Sequence, residues 1–212
     1  DFTVNFGQGL ILYTGFATGK SAFVTNIKTT ARTLSAYTSV NELNFMRGVG
    51  ATIGVTDKID WTVFASRKRR DGSAVIIDSL NTFEITALVL TGLRRTQNEI
   101  DREGNIEQST LGSRIEYKDK RLQVALNGVY NHLNVPLNQN PRLDNQFAFN
   151  DDRLLNLSVD YTYLFRNLNL FGETAYSDNG AIATLNGMLV SLNPKVDLSI
   201  LQRSFPRNFH QL

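Results

Sequence analysis

The stretch LNLSVDYTYLFRN, residues 155–167, decides the fold class, because its side chains alternate between two chemical kinds. Apolar and aromatic residues fill the odd positions of 155–165, and polar residues fill the even positions of 156–162. A period of two is the pattern of a β-strand with one apolar and one polar face. The run is about ten residues long, whereas strands of globular domains cluster near five or six. Arg166-Asn167 then forms a tight polar turn.

The same period of two recurs along the rest of the chain. It predicts about nine strands of roughly ten residues each, the length that an outer-membrane strand needs. The first covers residues 2–12, where Phe2, Val4 and Phe6 alternate with small or polar residues. The others begin near residues 45, 59, 110, 121, 155, 168, 182 and 196, with weaker alternation in 168–177 and 182–192.

The connections between these segments alternate in length. Short polar turns lie at 56–58, 118–120, 166–167 and 193–195. Between them lie long connections at 13–44, 69–107 and 132–153, and a shorter one around 177–180. In an up-and-down sheet, this order places every short turn at one end and every long connection at the other. Outer-membrane barrels have that asymmetry. The segments Ala74–Ile77 and Thr86–Leu90 indicate a further hairpin inside 69–107.

The predicted fold class is therefore all-β: an antiparallel up-and-down transmembrane β-barrel in a bacterial outer membrane, with residues 1–212 forming one domain. A soluble β-sandwich or β-solenoid is the alternative. Because the strand count is odd and a closed single-chain bacterial barrel has an even number, we expect the domain to be an incomplete part of a larger barrel.

The alternation also predicts which side chains face lipid. A charge on the lipid face costs about 2–4 kcal/mol near the bilayer midplane, so the charged face must point into the barrel. The residues expected to face lipid are Leu122, Val124, Leu126, Leu155, Leu157 and Val159. The polar residues expected to line the interior are Arg114, Glu116, Arg121, Asn127, Asp160 and Glu173, where they line a pore or pair with each other and a plug.

The densest basic run is Arg67-Lys68-Arg69-Arg70, just after the predicted strand Ile59–Ser66. That strand leaves a short turn, so the run is expected in a loop at the outer rim. Guanidinium groups match phosphate oxygens well, and lipopolysaccharide phosphates lie in that layer. We predict contact with membrane lipid or lipopolysaccharide, or with an acidic loop of another outer-membrane protein. A solvated run of loop charges is the alternative.

Several function classes are excluded or disfavoured. The chain has no cysteine, and its 22 basic and 20 acidic residues are not the footprint of a nucleic-acid-binding domain. No apolar run approaches the ~18–20 residues of a spanning helix. Residues 15–21 resemble a phosphate-binding loop, but Thr14 stands where glycine is required. His132 with Asp151-Asp152 is a weak candidate for a rim enzyme, because no serine elbow accompanies it. We expect no enzyme, cofactor or metal site.

Several motifs together resemble a family of Bacteroidota outer-membrane β-barrel proteins. These barrels are often described only by an attached helix-hairpin-helix domain, which this chain does not show. The resemblance implies a barrel portion of poorly defined function, and it implies no DNA-binding residue here. The motifs are Gly19-Lys20-Ser21, SVNELNFMR (39–47) with Gly48–Ala51, Phe64–Lys68, Gly92–Thr96 with Glu99-Ile100, and Asp178–Gly180 through Pro194.

Three functions stay open from the sequence. The first is a structural or binding barrel, including one subunit of a larger outer-membrane assembly. The second is a porin-like channel or transporter for small polar solutes. The third is a rim enzyme acting on lipid or peptide. The first two differ in whether the interior is filled, and strand number decides how wide that interior is.

Overall fold

A computed structural model of the chain describes residues 1–14, 27–38, 45–76, 83–88, 95–138 and 146–212. The regular secondary structure of the described part is almost entirely β, as the alternation predicts. Its elements are β1 (Phe2–Val4), β2 (Leu34–Ala36), β3 (Gly48–Thr56), β4 (Ile59–Arg70), β5 (Gly72–Ile76), β6 (Phe83–Leu88), α1 (Gln97–Ile100), β7 (Ile106–Lys118), β8 (Leu122–Leu133), β9 (Arg153–Phe165), β10 (Leu168–Ser177), β11 (Ile182–Asn193) and β12 (Val196–Ser204).

One antiparallel sheet of eight strands dominates the molecule, in the order β12-β11-β10-β9-β8-β7-β4-β3. Its strands run to 13 residues, well beyond the ordinary globular length. β5 and β6 pair as a separate antiparallel hairpin, which confirms the hairpin predicted inside 69–107. Within the described residues, β3 and β12 are edge strands that pair on one side only, so the sheet is not closed by a pairing between them.

The four predicted short turns are confirmed, and they lie at one end of the sheet, called the turn end below. The register brackets each of them: Thr56 pairs with Ile59, Lys118 with Gln123, Phe165 with Leu168, and Asn193 with Val196. Across the sheet, Ile59 pairs with Tyr117 at the same end. The opposite end, called the loop end, carries the longer connections, as the alternation of lengths requires.

The two faces of the sheet differ in the direction that the alternation predicts. Leu126 is 59% exposed and its neighbour Asn127 is 4% exposed, so the apolar face of β8 points outward and the polar face inward. Leu155, Leu157 and Val159 on β9 are exposed in the same way. The outward side is called the outer face and the other side the inner face. Large apolar side chains on an outer face are the reverse of an ordinary water-facing surface.

The N-terminal segment does not form a strand of this sheet, so the prediction for residues 2–12 is wrong. Its side chains are buried against the inner face, where Phe6 contacts Phe64 with ring centroids 5.8 Å apart. Its one strand, β1, pairs with β2, and isolated antiparallel bridges join Phe2 to Met46 and Asn5 to Tyr13. The alternation misled because a strand packed inside also needs apolar side chains. The buried apolar residues of the segment are Phe2, Val4, Phe6, Leu10, Ile11 and Leu12.

The inner face makes room for aromatic rings by placing glycine beneath them. A Cβ on Gly187 would lie 2.2 Å from Cζ of Phe171, and a Cβ on Gly112 would lie 2.1 Å from Cε1 of Phe64. Both phenylalanines belong to the cluster that receives the N-terminal segment. Glycine at these positions therefore lets the rings lie flat on neighbouring strands.

Candidate functional site

A buried polar network occupies the inner face at its centre. The Arg114 guanidinium donates from both terminal nitrogens to the Asp160 carboxylate, at 3.2 Å for the Nη2–Oδ1 pair. It also donates to Asn127 Oδ1 at 2.7 Å and to Glu116 Oε1 at 3.1 Å. Asn127 returns a hydrogen bond to Asp160 at 2.7 Å. The two carboxylates therefore pair with the guanidinium charge inside the fold, and the amide of Asn127 connects to both partners of the central ion pair.

Glu173 links this network to the N-terminal segment. Its carboxylate is fully buried and accepts hydrogen bonds from the backbone N–H of Gln8 at 2.7 Å and of Leu10 at 3.1 Å. The Ser158 hydroxyl donates to its other oxygen at 2.7 Å. Gly7 makes the close approach possible, because it adopts a left-handed φ of 54° and a Cβ there would lie 2.8 Å from the carboxyl carbon.

Toward the turn end, the network continues through exposed ion pairs. Lys118 Nζ lies 3.0 Å from Glu116 and 2.8 Å from Asp60. Lys58 and Asp119 join two neighbouring turns at 2.9 Å. This hydrogen-bonded pair lowers the pKa of the Asp119 carboxyl and raises the pKa of the Lys58 ammonium. The chain of contacts thus runs from the turns to the interior.

The residues expected to line the interior divide into two groups. Five of them, Arg114, Glu116, Asn127, Asp160 and Glu173, lie in the inner network. Arg121 does not, because it is exposed in the turn before β8 begins at Leu122. The sequence alternation assigned it to the polar face, but the strand starts one residue later and a turn residue has no fixed face.

A polar cavity of about 260 Å³ lies between the N-terminal part and the inner face of the eight-stranded sheet. Arg114, Glu116 and Asp160 line it on the side of the sheet. Gln8 and Lys28 line it on the opposite side, and the Lys28 ammonium lies 5.8 Å from the centroid of the Phe171 ring. The cavity has room for small polar molecules, since a water molecule takes about 30 Å³ of liquid volume.

The basic run 67–70 does not lie in a loop, so that part of its prediction is wrong. β4 continues through Arg70 and pairs with β7 along its whole length. The strand alternation divides the run, with Arg67 and Arg69 on the outer face and the other two turned inward. Lys68 Nζ lies 3.7 Å from the centroid of the Phe45 ring, and Arg70 donates to Gln108 at 2.8 Å.

A row of basic side chains crosses the outer face at the loop end. Arg67 pairs with Ser109, which pairs with His132, which pairs with Arg153. On the other side, the Arg67 N–H donates to the Arg47 carbonyl at 2.8 Å and extends the row toward β3. Arg47 and Arg153 were not among the residues predicted to contact phosphate, although each stands at the start of an alternating segment.

An open cleft of about 740 Å³, called the rim cleft below, adjoins this row. Its cations are Arg47, Arg67, Lys68 and Arg69, and its acids are Asp71, Glu103 and Glu107. The neighbouring residues Phe45 and Gly104 complete the lining. The cleft therefore concentrates several charges of both signs at the loop end, with the cations in the majority.

The other candidate sites from the sequence have few supporting contacts among the described residues. His132 Nδ1 lies 3.8 Å from Asp152, beyond hydrogen-bond distance, although Ser109 stands opposite in the register. Residues 15–21 lie outside the described residues. In the described ranges, no group of three His, Cys, Asp or Glu side chains is placed to hold a metal ion, and no helix is long and apolar enough to cross a membrane.

In comparisons with known proteins, no family model, curated protein or solved structure matches the chain.

Proposed function

We propose that the chain is part of the wall and the filling of a transmembrane β-barrel in a bacterial outer membrane, with a structural or binding role. The observation that carries this proposal is the inversion of the two faces. The outer face is apolar and exposed, whereas the inner face buries a paired arginine, carboxylates and amides. In water this arrangement exposes a large apolar surface, but in lipid it satisfies both faces.

The height of the apolar band supports the same proposal. On β9, exposed or half-buried apolar and aromatic side chains occupy every outward position from Leu155 to Phe165. Ten residue steps of about 3.3 Å, on a strand tilted by about 40°, span about 25 Å along the barrel axis. That is the height of the apolar band on outer-membrane barrels. Aromatic residues at the turn end, such as Tyr163 and Tyr117, suit an interfacial girdle.

The contents of the interior indicate a barrel wider than eight strands. Strands about 4.8 Å apart and tilted by about 40° place the wall of an eight-stranded barrel about 8 Å from its axis. Two β-layers pack about 10 Å apart, so a chain segment on the axis needs a wall radius of about 10 Å. That radius takes about ten strands. We therefore propose that further strands pair with β3 and β12, from this polypeptide or from a larger outer-membrane assembly.

A filled interior favours a structural or binding role over an open pore. The N-terminal segment occupies the inner face, and the charges there bind each other and the segment. A channel or transporter for small polar solutes is the second candidate, and the polar cavity beside Arg114 is the observation that favours it. No contact of the rim histidine supports an enzyme, which stays an untested alternative.

Single-cysteine labelling tests the proposal, because the chain contains no cysteine of its own. Leu157 and Ser158 form a matched pair of neighbours on β9, one exposed and one buried. The full-length protein with L157C should react with a maleimide confined to the bilayer, and S158C should not. Val124 and Asn127 provide the same comparison on β8.

The labelling has a result that contradicts the proposal. If a water-soluble maleimide labels L157C in membranes and the lipid-confined reagent does not, the apolar face is covered by protein or faces water. A soluble β-sandwich, with a second sheet on that face, would then explain the exposed side chains better. Fractionation of cells with separated inner and outer membranes checks the compartment independently.

A further inference from the structure

The rim cleft lies directly above the apolar band of the outer face. The row below Arg67 consists of Ala65, Leu111, Tyr130 and Leu155, which are joined by the register of β4, β7, β8 and β9. All of these side chains are on the outer face, so the cleft and the apolar surface are continuous. A ligand with both a headgroup and acyl chains is the occupant that contacts the two surfaces together.

The acids of the cleft are already engaged with the protein. Glu107 binds Arg67 at 2.6 Å, and Asp71 accepts a hydrogen bond from the Gly104 N–H at 2.8 Å. Arg69 stands opposite Glu107 in the register, but no carboxylate in the described part of the chain forms an ion pair with it. The Arg67 side chain is 74% exposed, so it can turn toward a ligand without leaving the surface.

We propose that the rim cleft binds the phosphorylated headgroup of a membrane glycolipid, with Arg67 and Arg69 donating to one phosphate. The acyl chains of that lipid lie along the apolar surface below Ala65. Guanidinium groups are suited to this ligand because their forked N–H groups match phosphate oxygens and keep their charge at any physiological pH. Arg47, on the neighbouring strand, is placed to contact the same headgroup. This inference rests on the proposed membrane location.

Native mass spectrometry of the full-length protein in a phosphate-free detergent tests the proposal. The probes are diphosphorylated lipid A and the same lipid A with both phosphates removed. The wild-type protein should bind the phosphorylated lipid and not the other. R67Q/R69Q should weaken binding on the order of tenfold for each arginine, because a charge-assisted hydrogen bond is lost at each position. R67K/R69K should fall between the two, since it keeps the charge and loses the fork.

A matched control removes the same charge at the opposite end. Lys120 and Lys195 are exposed in turns at the turn end, so K120Q/K195Q should bind phosphorylated lipid A as the wild type does. Equal loss in both double variants would show a general charge effect and overturn the proposal. Unchanged binding by R67Q/R69Q, or equal binding of the dephosphorylated lipid, would overturn it too.

Two further experiments distinguish a lipid phosphate from free phosphate, and the lipid-binding inference from the proposed membrane location. Millimolar inorganic phosphate should not displace the lipid, because the acyl chains contribute to its binding. Displacement would show a site for free phosphate and defeat the lipid version. Extraction of cell membranes with alkaline carbonate measures insertion separately. A protein that resists extraction but shows no phosphate preference defeats only this inference, whereas a protein that is extracted defeats the proposed function.

Discussion

Replacement of Glu173 by alanine should release the N-terminal segment from the inner face. The carboxylate accepts two backbone N–H groups of that segment, from Gln8 and Leu10, and it is fully buried. Each buried donor that loses its acceptor costs about 1–3 kcal/mol. Loss of both should therefore favour the released state by about 3–4 kcal/mol, which multiplies its population by about 10²–10³.

The isosteric variant E173Q separates the hydrogen bonds from the charge. Its amide oxygen can still accept both backbone N–H groups, and its NH₂ group can donate to the Ser158 hydroxyl. We expect E173Q to weaken the attachment by less than about 1.5 kcal/mol, because the geometry and volume are kept. E173A should then differ from E173Q, although both variants remove the same charge.

Hydrogen–deuterium exchange on the full-length protein measures this release. The amides of residues 1–14 should exchange about 10²–10³ times faster in E173A, whereas β7, β8 and β9 should keep their protection. If the segment exchanges at the wild-type rate in E173A, the carboxylate does not hold it and the anchoring argument is wrong. If E173Q and E173A behave alike, the charge rather than the hydrogen bonds supplies the attachment.

Three further predictions follow from the same contacts. G7A should reproduce the faster exchange of residues 1–14. Its methyl group would displace the Glu173 carboxylate, and alanine adopts the left-handed φ of this position only with strain. G187A should lower the unfolding temperature, at a cost of about 1–3 kcal/mol, because its Cβ overlaps the Phe171 ring. In D119N, the backbone amides of the turn 118–120 should exchange hydrogen faster than in the wild type at neutral pH. Below about pH 4 the two proteins should exchange at the same rate. The lowered pKa of Asp119 means that its pairing with Lys58 stabilises the fold above about pH 4 and is lost as pH falls further.

The strands of the large sheet could be predicted from the sequence because each of them has two faces in different surroundings. One face carries apolar side chains and the other mainly polar ones, so the period of two is clear over most of β8 and β9. It is interrupted where Ala125, Val129 and Leu154 place apolar side chains on the inner face. The turns are legible for a related reason. Two or three polar residues between long strands leave the chain no route except a hairpin. Neither inference needs knowledge of distant contacts.

The position of the N-terminal segment could not be predicted in the same way, because its burial depends on partners far away in sequence. Phe2, Val4 and Phe6 alternate like a wall strand, yet they pack on Phe64 and its neighbours. One signal was available: Leu10, Ile11 and Leu12 form a continuous apolar run after two glycines, which a strand with one polar face would not contain. A segment buried on both sides requires such a run.

The position of the basic run 67–70 was predicted wrongly for a different reason, because the strand was expected to end at Ser66 with the last residues of the apolar alternation. A strand can carry consecutive cations when its alternation sends them to opposite faces. Arg67 then finds Glu107 outside, and Arg70 finds Gln108 inside. The separation of faces removes much of the mutual repulsion that the linear sequence implies. Charge density along a chain is thus weaker evidence about secondary structure than the period of the residues around it.

The two proposed roles, a filled structural barrel and an open channel, would correspond to two states of the same inner face. With the N-terminal segment in place, Glu173 binds backbone N–H groups and the interior is filled. Without it, the same carboxylate, Asp160 and Arg114 would face water in a polar passage. The ion pair of Arg114 and Asp160 does not include the segment, so it can persist in either state. In the proposed barrel, the residues that contact the segment would therefore decide whether the interior is filled or open to solutes.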